Sequence, residues 1–140
     1  GTTAEPQRYR FRDTEVPFGA ETLTYRLRQV DTDGTESFTD VVTLERPAVI
    51  ELELQRTFPN PARSRVTVRF AVPEAAQAAG ERITLRLYDL LGRQVQQVEA
   101  SSERGRTEMQ LDVSRLASGT YFLRLAVGGE MRTQKLTVIR

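Results

Sequence analysis

Between residues 66 and 139 the chain carries several runs in which apolar side chains fall at every second position. Val66, Val68, Phe70 and Val72 alternate with Thr67, Arg69 and Ala71, and Ile83, Leu85 and Leu87 alternate with Thr84 and Arg86. Thr107, Met109, Leu111 and Val113 alternate with Glu108, Gln110 and Asp112; Tyr121, Leu123, Leu125 and Val127 alternate with Phe122, Arg124 and Ala126. A period of two puts successive side chains on opposite faces of a strand, so each run predicts a strand with one buried face and one wet face. Residues 50–55, 94–101 and 131–139 add three more, making seven strands between Ile50 and Arg140. Val95 and Val98 break the alternation and predict a β-bulge near Gln96-Gln97. The one helix-compatible stretch, residues 74–79, lies between Pro73 and Gly80 and predicts a loop or at most one helical turn.

The turns carry their own chemistry. Gly128-Gly129 between two alternating runs predicts a two-residue hairpin with positive φ at both glycines. Asp89-Leu90-Leu91-Gly92 fits a type I turn continued by a left-handed glycine, and Gly105 and Gly119 mark two further reversals. Seven short strands at this spacing predict an all-β fold, an immunoglobulin-like antiparallel β-sandwich.

Residues before about Arg46 form a separate group. Tyr9 and Phe11 alternate with arginines, Leu23, Tyr25 and Leu27 form a second run, and residues 38–44 a third, after the turn Asp31-Thr32-Asp33-Gly34. Three strands are too few to bury a core alone. Either they are the closing strands of an upstream module or they lean on the sandwich. Arg46-Pro47-Ala48 is the expected boundary, dividing the chain into residues 1–47 and 48–140.

Composition removes most chemistry. The 140 residues carry 20 basic and 19 acidic side chains for a net charge of +1, so no strong global field draws the chain to nucleic acid or anionic lipid. Outward arginines are interspersed with Glu51, Glu53, Glu99, Glu103 and Glu108, as on a soluble mixed-charge sheet. Histidine, cysteine and tryptophan are absent. That removes the usual general base near neutral pH, thiol chemistry, disulfides, the commonest metal ligands and the best platform for stacking a sugar. No segment has the length of a transmembrane helix or the layout of a signal peptide. Gly1-Thr2-Thr3 fits a cloning remnant, and a signal peptide is expected further upstream in a longer secreted protein.

Each acidic or hydroxyl cluster reads more simply as structure. Asp31, Asp33 and Glu36 lack the rest of a calcium loop, and Asp-Gly is a hairpin turn in its own right. Asp89 and Asp112 lie beside turns or on exposed faces, where carboxylates cap and solvate instead of forming an acid–base pair. Ser101, Ser102 and Ser118 have no histidine to activate them. No catalytic residue, metal site or cofactor is expected.

What remains is an ordered set of short motifs. Phe58-Pro59-Asn60-Pro61 comes first, then Leu87-Tyr88-Asp89-Leu90-Leu91-Gly92-Arg93, then Leu116-Ala117-Ser118-Gly119-Thr120-Tyr121, and finally Lys135-Leu136-Thr137-Val138-Ile139-Arg140. Their order and spacing over residues 49–140 resemble the C-terminal sorting domain (type A) of the type IX secretion system. Residues 25–34 look like the closing strands of a fibronectin-III-like module. The resemblance implies a non-catalytic secretion signal read by outer-membrane translocon components. It also implies later removal by a sortase-like peptidase, with cleavage around residues 46–56, and a route through the periplasm to the cell surface or medium. By motif matching it marks Phe58, Pro59, Asn60, Pro61, Tyr88, Asp89, Gly92, Arg93, Gly119, Tyr121, Lys135, Leu136 and Val138 as recognition or fold-critical positions. Gly92 and Gly119 are expected to serve the backbone. Strand order further raises the expectation that the last strand offers its edge to a partner by β-augmentation. The competing classes are a carbohydrate-binding or adhesion module, for which Tyr88 and Phe122 are the best outward aromatics, and a spacer of a secreted enzyme.

Overall fold

The structure, a computed structural model, describes residues 8–101 and 105–140. Gly1-Thr2-Thr3, Ser102 and Glu103 lie outside the described residues. All seven expected strands are present in the C-terminal part: β5 (Glu53–Leu54), β6 (Arg65–Ala71), β7 (Ile83–Tyr88), β8 (Gln94–Ala100), β9 (Arg106–Asp112), β10 (Gly119–Val127) and β11 (Glu130–Val138). They form two sheets, ordered β5-β6-β9 and β11-β10-β7-β8, with every pairing antiparallel. The single helix among the described residues, α1 (Glu74–Ala78), is one short turn of chain behind Pro73.

The two sheets close on one hydrophobic core. Val66, Val68 and Phe70 of β6 meet Leu85 and Leu87 of β7, Leu123 and Leu125 of β10, and Leu136 and Val138 of β11, all at 0–1 % exposure. These are the inward positions of the period-two pattern. The opposite face of the four-stranded sheet carries Lys135, Phe122 and Tyr88 side by side across β11, β10 and β7.

Three turn details differ from expectation. The bulge in β8 lies at Val95, because Leu87 pairs with Gln96 while Tyr88 pairs with Gln94. At the β10–β11 hairpin only Gly128 has positive φ (57°), which is the glycine demand of a type II′ turn, so Gly129 is not conformationally required. Gly119 opens β10 without positive φ, and a Cβ there meets only the Tyr121 ring at 3.8 Å. It marks a strand start and needs no glycine, contrary to the backbone role expected of it.

The N-terminal group holds four short strands in place of three: β1 (Thr22–Tyr25), β2 (Arg28–Val30), β3 (Glu36–Phe38) and β4 (Val42–Glu45). β1 pairs with β4 and β2 with β3, forming one two-stranded ribbon interrupted where Leu27 and Thr39 bond each other. Tyr9 and Phe11 join no strand and are exposed. At the ribbon tip Asp31 N–H donates to Thr35 O, and Gly34 (φ 87°) N–H donates to Asp31 O, which is the turn read from Asp-Gly. The ribbon base touches the sandwich. Arg46 ties itself to the carbonyls of Phe18 (2.9 Å) and Ala20 (3.2 Å), and Arg106 donates to Pro47 O at 3.0 Å. The β2–β3 tip remains exposed at every strand residue.

Candidate functional site

Three of the four motifs converge on β11. The first runs along its edge. In β11 the backbone groups of alternate residues point toward β10, and those of Met131, Thr133, Lys135 and Thr137 point away. Prolines on both sides of Asn60 remove two backbone donors, so an ordinary ladder is impossible there. The Asn60 side chain substitutes for it, since a primary amide holds a donor and an acceptor in one plane. Nδ2 donates to Lys135 O at 3.0 Å, and Oδ1 accepts from Thr137 N–H at 2.9 Å. Ala62 continues the line, donating to Thr137 O and accepting from Ile139 N–H, both at 2.8 Å. The edge of β11 is therefore occupied from the Lys135 carbonyl onward. The last strand is expected to offer its edge, and the part from the Lys135 carbonyl onward is already taken.

The flanking residues of this motif brace it on β6. Phe58 bridges to Thr67 in both directions, and its ring lies 4.6 Å from the Arg69 guanidinium. Arg69 in turn pairs with Glu108 and lies 5.9 Å from the Phe18 ring, linking the motif to the segment before the ribbon. Both peptide bonds preceding Pro59 and Pro61 are cis.

The second motif closes the β7–β8 hairpin next to the outer row. Asp89 Oδ1 accepts from the N–H groups of Leu91 and Arg93, both at 2.9 Å, and Oδ2 accepts from Arg93 Nε at 2.8 Å. Gly92, at φ 77°, supplies the left-handed residue that closes the turn on Asp89 O. The Arg93 amide, ahead of its guanidinium, holds the Asp89 carboxyl below the usual carboxylate range. Arg93 is thus engaged by the turn itself. A carboxyl depressed in the folded state contributes stability above its unfolded pKa and loses it as pH falls through the folded value. Asp89→Asn is therefore expected to narrow the difference in Tm between pH 7 and pH 3, measured by thermal melts of both proteins.

The third motif secures the far end of the sheet. The Tyr121 hydroxyl donates to Ala117 O at 2.8 Å from a side chain only 7 % exposed. Arg140 donates from its backbone to Ser118 Oγ and from its guanidinium to Leu116 O. A tyrosine that bonds back to the chain a few residues upstream fixes a sandwich corner. Tyr121→Phe is expected to cost about 1 kcal/mol, read from urea unfolding, because the Ala117 carbonyl loses its hydroxyl donor.

Of the residues singled out in the sequence, Leu136 and Val138 are core, and Tyr121 is mostly so. Lys135 is exposed and lies beside Phe122, which pairs in turn with Tyr88. The Tyr88 ring carries Arg124 over its face at 4.9 Å, so it is not free for stacking. Sequence reasoning missed Ala62, Arg69, Thr57 and Arg56. Ala62 and Arg69 act through contacts distant in sequence, and no local pattern marks them. Arg56, Thr57, Phe58, Asn60, Gln134 and Lys135 line a cleft of about 420 Å³ beside β11, and the Thr57 hydroxyl is buried without a partner there.

Chemistry of the enzymatic kind finds little to build on. Asp112 accepts from Ser114 N–H at 2.8 Å, and the Ser114 hydrogen bonds hold its carboxyl low, as at Asp89. Both acids are turn caps, the reverse of a carboxyl raised for proton donation. Among the described residues no three acidic side chains gather into a possible metal site, and no helix is long and apolar enough to cross a membrane.

Comparison with known proteins places this arrangement. No curated protein matches the chain. The crystal structure of dimeric latent PorU from Porphyromonas gingivalis aligns with a TM-score of 0.50 at 22 % identity, covering 86 % of this chain and 12 % of that one. That likeness is one of fold, and this chain spans only about 12 % of that protein. The family described as "Secretion system C-terminal sorting domain" matches residues 56–139, from the cleft beside Phe58-Pro59-Asn60-Pro61 through the end of the last strand. With the motifs assembled around one terminal strand and the family matched over more than half of the sequence, the chain belongs to the C-terminal sorting domains of the type IX secretion system.

Proposed function

We propose that the sandwich of residues 48–140 acts as the export address of a larger secreted protein, without catalysis of its own. Domains of this family direct their proteins to the cell surface or the extracellular space through the type IX system. The observation that carries the reading for this chain is the family match over residues 56–139, which takes in every strand of the sandwich except β5. Residues 1–47 then belong to the protein being carried or to the segment joining it. The partners are outer-membrane translocon components, reached from the periplasm, and a sortase-like peptidase. No nucleic acid or cofactor takes part.

Cleavage fits best within residues 47–51. Pro47, Ala48, Ile50 and Glu51 are exposed outside any strand, whereas Leu52 and Leu54 are pinned in the core. A peptidase needs extended, accessible backbone, and local exposure favours that stretch. The carbohydrate-binding alternative gains less support, because Arg124 already covers the Tyr88 ring and Phe122 is the remaining outward aromatic of that row.

The test is export of the whole chain. Fused behind a periplasm-targeted fluorescent protein in a bacterium with a working type IX system, it is expected to carry fluorescence to the surface or medium. Periplasmic retention equal to that of the unfused fluorescent protein would overturn the reading.

A further inference from the structure

The occupied and open halves of β11 make a defined docking edge. Asn60 and Ala62 satisfy the outward backbone groups from the Lys135 carbonyl to the Ile139 amide. By the same alternation, the N–H and C=O of Met131 and Thr133 and the N–H of Lys135 point outward; no backbone of the described residues pairs with them, and the Met131 carbonyl accepts from the Arg132 guanidinium at 2.9 Å. This segment of β11 contains no proline, and its charged side chains are Arg132 and Lys135. The open segment from Met131 to Lys135 is about 13 Å long at ~3.3 Å per residue, the length of a strand of about five residues.

Where this segment ends, the cleft beside β11 begins. Arg56 and Lys135 both line it, both are exposed, and neither forms an ion pair with a described residue. No acidic side chain lines it. The other long edge of the same sheet, β8, is bent by the bulge at Val95, which interrupts the even spacing of its outward groups.

We propose that the Met131–Lys135 edge accepts an extended acidic peptide segment of the export machinery, which pairs with Met131 and Thr133 and places a carboxylate between Arg56 and Lys135. A peptide fits because outward donors and acceptors alternate at strand spacing, which a glycan or phosphate does not match, and the one engaged group, the Met131 carbonyl, is held only by the exposed Arg132 side chain that an added strand would displace. The acidic side chain follows from charge complementarity with two unpaired cations. Asn60 sets the register, because the added strand must stop where its amide already holds the edge. This inference rests on the sorting function proposed above.

Two variants in the same export fusion separate the possibilities. Thr133→Pro removes an outward N–H while leaving the donors facing β10 in place. Arg56→Glu reverses a charge outside the sheet. With the unaltered fusion exported, each variant is expected to lower exported fluorescence about tenfold while Tm stays within about 4 °C. Export of both at the unaltered level would overturn the acceptor edge and leave the sorting function standing. Loss confined to Arg56→Glu would overturn strand addition. If Thr133→Pro fails to fold, undiminished export of Arg56→Glu alone overturns the proposal. Retention of the unaltered fusion would overturn the sorting function and the acceptor edge with it.

Discussion

Removing residues 135–140 is expected to unfold the sandwich. Leu136 and Val138 are at 0 % and 1 % exposure in the common core, between the two sheets. Loss of buried aliphatic side chains costs about 2–4 kcal/mol each when a cavity remains, so the pair accounts for about 5 kcal/mol. The same cut removes the partners of Gly119, Thr120, Tyr121 and Phe122 on β10, both bonds of Asn60, both bonds of Ala62, and the Arg140 contacts to Leu116 and Ser118. Total stability of a small domain is about 5–15 kcal/mol, so the remaining chain has little or none left. Near-UV circular dichroism and a thermal melt of the shortened chain would check this: no cooperative transition is expected, and a transition near that of the intact chain would refute it. Loss of export on truncation would then report loss of the fold, and point variants on the surface become the informative probes of recognition.

Asn60→Ala has the second largest expected effect. It deletes two hydrogen bonds whose net worth is about 0.5–1.5 kcal/mol each, so a loss of about 2 kcal/mol is expected from urea unfolding. It also frees the Lys135 carbonyl and the Thr137 amide, extending the open edge of β11 toward its end. An unprotected edge pairs with other edges, so the variant is expected to self-associate more than the parent protein. Sedimentation velocity at several concentrations would show it. A monomeric variant of undiminished stability would mean that the Asn60 amide is incidental to the edge.

Much of this architecture was legible in the chain itself, and the reason is local. Alternation needs only a few residues to declare a strand face, so β6, β7, β9 and β10 and their buried sides follow directly from Val66, Leu85, Leu111 and Leu123. The Asp89 turn was legible for the same reason, since its acid, its glycine and its arginine lie within five residues. Pairing is not local. The bulge falls at Val95 because β7 chooses the register, and β8 alone carries too little pattern to place it. Tyr9 and Phe11 alternate with arginines yet form no strand, for alternation without a partner strand has no ladder to join. The amide of Asn60 closing the edge of Lys135 had no local signal at all, and a motif readable as a turn proves to be a substitute strand.

That last contact also sets a tempo. Asn60 and Lys135 are 75 residues apart, and Asn60 and Thr137 are 77 apart. Bringing such ends together costs loop entropy before any bond repays it, and domains dominated by distant pairings fold in about milliseconds to seconds, where local helical bundles need microseconds. The seal on β11 therefore depends on contacts far apart in sequence, whereas the pairing of β11 with β10 needs only the Gly128-Gly129 hairpin. The speed of sealing is governed by topology more than by the strength of any single bond.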